Sequence, residues 1–326
     1  PAEPCAIPPL PAPCRLLFPR MEILRTRLCE WRPAGIDALA LAPSTAAEPR
    51  LAVGRANGAV ELWNTATWHL HATTPGHAKR SVRGLAWVTA DGQRRLFSAG
   101  LHREVTEWDV DALQPLTSVP SGGGPVWGFA EGGGRLFAAC EDGSLRIFST
   151  GTESGELMIH SRLPVGKMRL LSVATFGPDI VFAGGSDSRI AKWSCRTRTC
   201  EASMEVERAQ GAETLIWALA ALGDHGLASA DSLGLVQVWD PVVCVVLHRF
   251  SQHQADVLAL AASDDGCVLL SGGIDAKIST FSKQQEGDGR WVFRNTEFGH
   301  THDIRAIALE GGSGPMISGG VAGTLR

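Results

Sequence analysis

The chain has 326 residues, of which 44% are hydrophobic and 20% charged, and a formal net charge of −4. This is ordinary globular composition, without the strongly basic balance of a bulk nucleic-acid binder. No apolar run approaches the ~18 residues that a membrane helix needs, which argues against a membrane role.

Residues 1–20 hold seven prolines and do not begin with Met. Proline at that density denies both helix and ladder hydrogen bonding, so this segment is expected to be disordered. It lacks a basic region followed by a clean apolar core, so a signal peptide is not expected, and Met21 is the expected start. Met21 to Trp31 then reads as one strand of an outer, more polar type with no hairpin partner before it.

From Leu51 onward one thirteen-residue frame recurs. It has an apolar pair, a small residue, a turn containing Gly or Asp, and an alternating run ending in a large aromatic. The frames open at Leu51, Leu96, Leu136, Val181, Leu227, Leu269 and Met316, a spacing of 40 to 47 residues. Six of them close on Trp63, Trp108, Phe148, Trp193, Trp239 and Phe281. The chain ends before the seventh aromatic is due, so a truncated last repeat and a fragment of a longer protein are expected. Turns such as Asn57-Gly58 and Asp142-Gly143 tolerate the positive φ of a tight hairpin, so each frame reads as two antiparallel strands.

Upstream of every frame lies a short run, apolar on both faces, at Ile36–Ala40, Val82–Ala86, Val126–Ala130, Leu170–Ala174, Ile216–Ala220, Val257–Ala261 and Ile304–Ala308. Each reads as a strand buried on both sides. A more polar stretch after the frame, such as Trp68–Thr73 or Leu157–Leu163, suits an outer strand. Long loops are expected at 42–49, 109–125, 149–167 and 195–213. Four strands repeated seven times at this period predict one domain, residues 21–326, folded as an all-β, seven-bladed propeller. The lone strand at 23–31 is expected to complete the last blade and close the ring, which removes two exposed sheet edges.

Little in the chain suggests catalysis or a cofactor. The shared aromatic position reads as inter-blade packing, because a position repeated around a ring cannot be one active site. The eight cysteines include no CxxC pair and read as reduced thiols. His300-Thr301-His302 and His69-Leu70-His71 lack the third ligand that zinc requires. No Gly-x-Ser-x-Gly elbow and no phosphate-cradling Gly-rich loop occurs, and the carboxylate pairs Glu141-Asp142 and Asp264-Asp265 fall in turns. The second residues of the inner strands, Asp37, Arg83, Trp127, Leu171, Trp217, Leu258 and Arg305, are mixed in type, with no triad evident. Basic residues cluster at or beside loops: Lys79, Arg80 and Arg83; Arg94 and Arg95; Lys167 and Arg169; Arg196 and Arg198. They are the candidate contacts to RNA phosphate or to a protein partner, set against solvated loop charge as the plain alternative.

From residue 21 to its end the chain resembles WD-repeat proteins. That resemblance implies a buried network of His, Ser, Asp and Trp in each blade. Blade 6 would use His253, Ser271 and Asp275, with Phe281 in the Trp place. Blade 2 would use His77, Ser98 and Trp108, with His102 in the Asp place. No blade carries all four, so packing is expected to be the main stabiliser. Several ordered segments resemble the narrower cirhin family: Cys29-Glu30-Trp31-Arg32-Pro33, Arg95-Leu96-Phe97-Ser98-Ala99-Gly100, Gly124-Pro125-Val126-Trp127, Cys140-Glu141-Asp142-Gly143-Ser144 and His300-Thr301-His302-Asp303-Ile304-Arg305-Ala306. The family resemblance implies a non-enzymatic, nucleolar WD-repeat subunit of the UtpA subcomplex of the small-subunit processome. Its expected work is pre-rRNA processing and 18S rRNA maturation, coupled to rDNA transcription. Its implied partners are other UtpA subunits, processome proteins and pre-rRNA, with no cofactor and no small-molecule substrate. A general WD-repeat adaptor, such as a ubiquitin-ligase substrate receptor or signalling scaffold, is the alternative.

Overall fold

The computed structural model describes residues 33–43, 50–77, 79–90, 93–151, 156–284, 289–311 and 315–326. These residues form an all-β propeller built of antiparallel sheets in chain order. Blade 1 comprises β1 (Ile36–Leu41), β2 (Arg50–Arg55), β3 (Val60–Asn64) and β4 (His69–Thr73). Blade 2 comprises β5 (Val82–Ala90), β6 (Gln93–Gly100), β7 (Glu104–Trp108) and β8 (Pro115–Pro120), and blade 3 comprises β9 (Val126–Gly132), β10 (Arg135–Cys140), β11 (Ser144–Ser149) and β12 (Met158–Pro164). Blade 4 is β13 (Leu170–Phe176), β14 (Ile180–Gly185), β15 (Arg189–Ser194) and β16 (Thr199–Glu205), and blade 5 is β17 (Ile216–Ala221), β18 (Leu227–Asp231), β19 (Val236–Trp239) and β20 (Val246–Phe250). Blade 6 is β21 (Val257–Ala262), β22 (Val268–Gly273), β23 (Ile278–Lys283) and β24 (Trp291–Glu297). β25 (Ile304–Leu309) and β26 (Met316–Gly320) form a two-stranded sheet in the seventh place.

Among the described residues, then, the complete four-stranded blades number six rather than seven. A third strand of the last sheet only begins, where the amide and carbonyl of Ser318 bond those of Arg326 at 2.8 and 3.0 Å. The closing strand expected at 23–31 lies outside the described residues. Three of the expected long loops also need correction. The spans 109–125, 149–167 and 195–213 contain the outer strands β8, β12 and β16. The outer strand expected at Leu157–Leu163 is present as β12; in β8 and β16 polar, exposed side chains hide the strand signal, because an outermost strand has one bonded neighbour and little apolar surface to bury.

All seven inner strands begin where the apolar runs begin, at Ile36, Val82, Val126, Leu170, Ile216, Val257 and Ile304. Each lies beside the inner strands of its two neighbouring sheets, and β25 lies beside β1. Burial on both faces holds along Leu170–Ala174 of β13 and over most of Val82–Ala86 in β5. In β1, β9 and β17 only the first residues are fully covered, and the strands become half-buried farther along. The reason is geometric: seven sheets set around an axis leave a channel there, and the inner strands line it.

The frame's fourth residue explains how closely the sheets approach. A Cβ on Gly54, Gly184 or Gly272 would lie 2.6–2.7 Å from the first inner-strand residue of the next sheet, Val82, Ile216 or Ile304. Gly319 stands in the same relation to Ile36, at 2.8 Å, so the last sheet meets the first as any blade meets its successor.

The closing aromatic of each frame packs onto the preceding sheet. Trp108 joins Leu62 and Val60 of blade 1, Phe148 joins Phe97 and Val105 of blade 2, and Trp193 joins Phe137 and Ile147 of blade 3. Trp239 joins Phe182 and Ile190 of blade 4, and Phe281 joins Val236 and Val238 of blade 5. Trp63 packs in one cluster with Ile317 and Leu325 of the last sheet. The residue after the aromatic then turns the chain. Asn64, Asp109 and Asp240 each accept two backbone N–H bonds from residues two and three positions on, which fixes the turn into the outer strand.

In blades 2 and 5 a serine at the third frame position gives the indole its partner, whereas Trp63 of blade 1, with Val53 at that position, donates to Glu61 instead. Trp108 Nε1 donates to Ser98 and Trp239 Nε1 to Ser229, both at 2.8 Å. In blade 4 the equivalent residue is Ala183, and the buried Trp193 Nε1 has no hydrogen-bond partner. Ala183→Ser supplies the missing acceptor. It is expected to raise unfolding stability by about 0.5–1.5 kcal/mol, read as a higher urea midpoint with unchanged slope.

Candidate functional site

The inner strands carry the site. Each is bulged at its second residue: the register against the next strand jumps between Ile36 and Ala38, Val82 and Gly84, Leu170 and Ser172, Ile216 and Ala218, Val257 and Ala259, and Ile304 and Ala306. In blade 3 the partners Cys140 and Ala139 face Val126 and Gly128. A bulge leaves one residue unpaired and re-aims its side chain. The residues skipped are Asp37, Arg83, Trp127, Leu171, Trp217, Leu258 and Arg305, and all seven line one cavity of about 430 Å³ at the mouth of the central channel.

The mouth is divided. In the last sheet and blades 1 and 2 it is charged. Asp37 Oδ1 accepts from Arg305 Nη1 at 2.8 Å and lies 3.9 Å from Arg83 Nη1, so two guanidiniums share one buried carboxylate. Burial lowers the Arg83 pKa; Asp37 opposes that shift and Arg305 adds to it. Arg83 Nε is buried without a hydrogen-bond partner. The Arg83 guanidinium sits 5.4 Å from the centroid of the Trp127 ring, and Arg169 sits 6.0 Å from the same ring. From blade 3 to blade 6 the skipped residues are instead Trp, Leu, Trp and Leu. Both indoles are anchored, Trp127 Nε1 to Glu141 and Trp217 Nε1 to Asp256 at 2.8 Å.

Strand direction separates the basic candidates. Neighbouring strands are antiparallel, so the hairpin turn within each frame and the link into the next inner strand share one end of the propeller. Lys79, Arg80, Arg83, Lys167 and Arg169 lie at that end, around the mouth. Arg94 and Arg95 open β6 and Arg196 and Arg198 sit in the β15–β16 turn, at the opposite end. Several are already engaged. Arg80 lies 3.7 Å from Glu104. Arg95 makes a two-pronged pair with Glu107 at 2.6 and 2.8 Å and also donates to the Thr150 carbonyl. Lys79, Lys167, Arg169, Arg196 and Arg198 are exposed.

The polar networks implied by the WD resemblance are partly present. In blade 6 His253 bonds Asp275 at 3.0 Å and Ser271 at 2.7 Å. In blade 2 Trp108 bonds Ser98, but His102 faces the Ser81 carbonyl at 3.4 Å and His77 is exposed. His300 bonds Ser318 at 2.7 Å. Burial lowers the pKa of His102 and of His300 from the ordinary 6.5, with Arg326 lowering His300 further. Both are therefore held neutral in the folded state, while the unfolded chain takes up protons near 6.5. Their contribution to stability is present above that pH and lost as pH falls through the lowered folded values. The urea midpoint is expected to drop below pH 6.5, and a His102→Gln/His300→Gln protein should show a shallower drop whatever its absolute stability.

Among the described residues no group of three or more His, Cys, Asp or Glu could hold a metal ion. Cys140 is buried, which pushes its thiol pKa up to about 12. Sequence reasoning missed two features. One is the pair of Arg–Glu bridges, buried for Arg55 with Glu61 and part-buried for Arg95 with Glu107. The other is an exposed apolar run in blade 5, where Val242, Val243, Val245, Val246 and Leu247 are 43–77% exposed in the β19–β20 turn and outer strand. The composition Pro241 to Leu247 is the signal that could have found it.

Residues 244–282 match the family described as WD domain, G-beta repeat. The chain is 32% identical over 327 residues to U3 small nucleolar RNA-associated protein 4 of Saccharomyces cerevisiae, covering 94% of this chain and 42% of that protein. It is 32% identical over 301 residues to the protein of the same name in Schizosaccharomyces pombe, covering 89% and 42%. The Homo sapiens homolog is 30% identical over 310 residues, covering 92% and 44%. The chain thus spans less than half the length of these three relatives. It is a WD40 β-propeller, similar along most of its length to part of the U3 small nucleolar RNA-associated proteins 4.

Proposed function

We propose that this chain is a propeller scaffold in ribosome biogenesis, a non-enzymatic nucleolar component of the UtpA subcomplex of the small-subunit processome. In this reading it acts in pre-rRNA processing and 18S rRNA maturation, coupled to rDNA transcription. The observation that carries the proposal is the 32% identity, over 94% of the chain, to a protein named for its association with U3 small nucleolar RNA. The blade 5 valine run supports a docking role, since contiguous exposed apolar surface marks interaction sites. Lys79, Arg80, Arg83, Lys167 and Arg169, gathered at one end, are the basic residues that a single partner or pre-rRNA surface could meet together.

Affinity purification of the tagged chain from nucleolar extract tests this. Recovery of other UtpA subunits and the 5′ end of pre-rRNA is expected. Association with a cullin adaptor and no nucleolar localisation would favour the general adaptor instead. The same reading includes a seventh blade completed by residues 23–31. Deleting residues 21–31 should then abolish soluble monomer, and a stable, monodisperse deletion protein would reject that closure.

A further inference from the structure

We propose that blade 4 holds a binding site for a small, neutral imidazole-type ring, in the space where other blades set a side chain against the hairpin aspartate. The inference does not depend on the ribosome-biogenesis reading.

The blades can be compared position by position. In blade 6 His253 fills the space between the link and the hairpin, bonding Asp275 at 3.0 Å and Ser271 at 2.7 Å. Gly166 takes the place of His253 in blade 4. Its carbonyl and that of Met168 crowd Gly143, as those of His253 and Ala255 crowd Gly234. Ala183 stands in the place of Ser271, while Asp187 is retained in the place of Asp275. Blade 3 also lacks the histidine and the serine, with Gly122 and Ala138 there. In that blade Arg146 reaches across instead, bonding Asp142 at 3.2 Å and the Gly122 carbonyl. Arg146 pairs with Ala138, and the residue paired with Ala183 in blade 4 is Ala191. With one glycine and two alanines in place of three larger side chains, the space stays open. Gly166, Ala183, Asp187 and Ala191 line one cavity of about 380 Å³.

Two polar groups lack the partners that other blades give them. Trp193 is 7% exposed and its Nε1 is unpartnered, whereas Trp108 and Trp239 donate to the serine at the position of Ala183. Asp187 has no histidine to face it. Burial pushes its carboxyl up, against the amides of its own turn and the charge of Arg189, with Glu213 adding to the rise. A buried, unsatisfied group gains most from an incoming partner. A ring that donates N–H to Asp187, with an acceptor where the serine hydroxyl would stand, satisfies both. Charge favours a neutral ring over a cation. Lys167 and Arg189 also line this cavity, where blade 3 has Gly123 and Ser144. Arg189 pairs with Glu205 at 3.2 Å and Arg208 with Glu213 at 3.6 Å, so the surrounding charge is already balanced.

The test is an NMR titration of the 326-residue chain with the indole nitrogens of its 10 tryptophans labelled. It is run at about pH 8, where an imidazole ring is mostly neutral. The probes are imidazole, 4-(hydroxymethyl)imidazole, N-acetylhistidine amide and methylguanidinium. The Trp193 cross-peak, assigned through Trp193→Phe, is expected to shift, while those of Trp108 and Trp239 stay still. The hydroxymethyl compound should bind more tightly than imidazole, because its oxygen stands in for the missing serine hydroxyl. Affinity should fall roughly tenfold or more in Asp187→Ala. Gly166→His should fill the cavity and abolish binding. A Cβ there meets nothing nearer than the Met168 amide nitrogen at 3.9 Å, so this variant is expected to fold even if Asp187→Ala does so poorly. Binding of the capped histidine as well assigns the ring to a protein side chain; its failure beside a bound free ring assigns a small molecule. An unmoved Trp193 cross-peak, undiminished binding in Gly166→His, no gain from the hydroxymethyl group, or methylguanidinium bound more tightly than the neutral rings overturns the proposal.

Discussion

Replacing Arg55 by Ala is expected to lower unfolding stability by about 3–5 kcal/mol, one of the two largest effects of any single substitution considered. Arg55 and Glu61 are both buried, and their two hydrogen bonds are 2.6 and 2.9 Å long. The same guanidinium donates to the carbonyls of Ala34 and Gly323 at 2.8 Å, so it ties blade 1 to the last sheet. Trp63 Nε1 also donates to Glu61, at 2.9 Å. Truncating Arg55 leaves a buried carboxylate with only an indole N–H and strands two carbonyls. The diagnostic is a double substitution. Arg55→Met with Glu61→Leu removes both charges and should recover most of the loss, because the pair's own net contribution is small once desolvation is counted. Chemical denaturation of the three proteins measures this. A single variant as stable as the parent would mean that water reaches Glu61.

Phe281→Ala is expected to cost about 3–5 kcal/mol. Phe281 is fully buried, with ring centroids of Phe250 and Phe293 at 4.6 and 5.9 Å. It fills the seam between blades 5 and 6, so its loss opens a cavity bounded by two sheets whose backbones cannot close together. Trp63→Ala, at the equivalent but half-buried position, should cost less, although the side chain removed is larger. Thermal and urea unfolding of both variants would check the order. A reversed order would show that transfer of the larger indole outweighs the cavity.

Much of the repeat was legible because each element has a local cause. The inner strands begin at a β-branched or Leu residue in every sheet, and the hairpins follow from turn chemistry such as Gly58, whose φ is +85°. Blade 6 shows the limit of transferring a motif. Its His253–Ser271–Asp275 contacts exist where all three residues are present, whereas His102 in the Asp place of blade 2 bonds elsewhere. The outer strands β8 and β16 fall in spans that read as loops, because polar side chains on an edge carry no periodic burial signal, whereas β12 matches the outer strand expected at Leu157–Leu163.

The amino-acid order by itself determined the period, the order of strands within each repeat and the aromatic that seals each seam. These depend on alternation, turn residues and side-chain size within about forty residues of chain. Only the tertiary structure decided that Asp37, Arg83 and Arg305 share one site and that Gly319 meets Ile36. Those contacts join opposite ends of the chain. They exist because a bulge turns the second residue of every inner strand inward and because the ring brings its last sheet against its first. Neither effect leaves a mark in any short stretch of sequence.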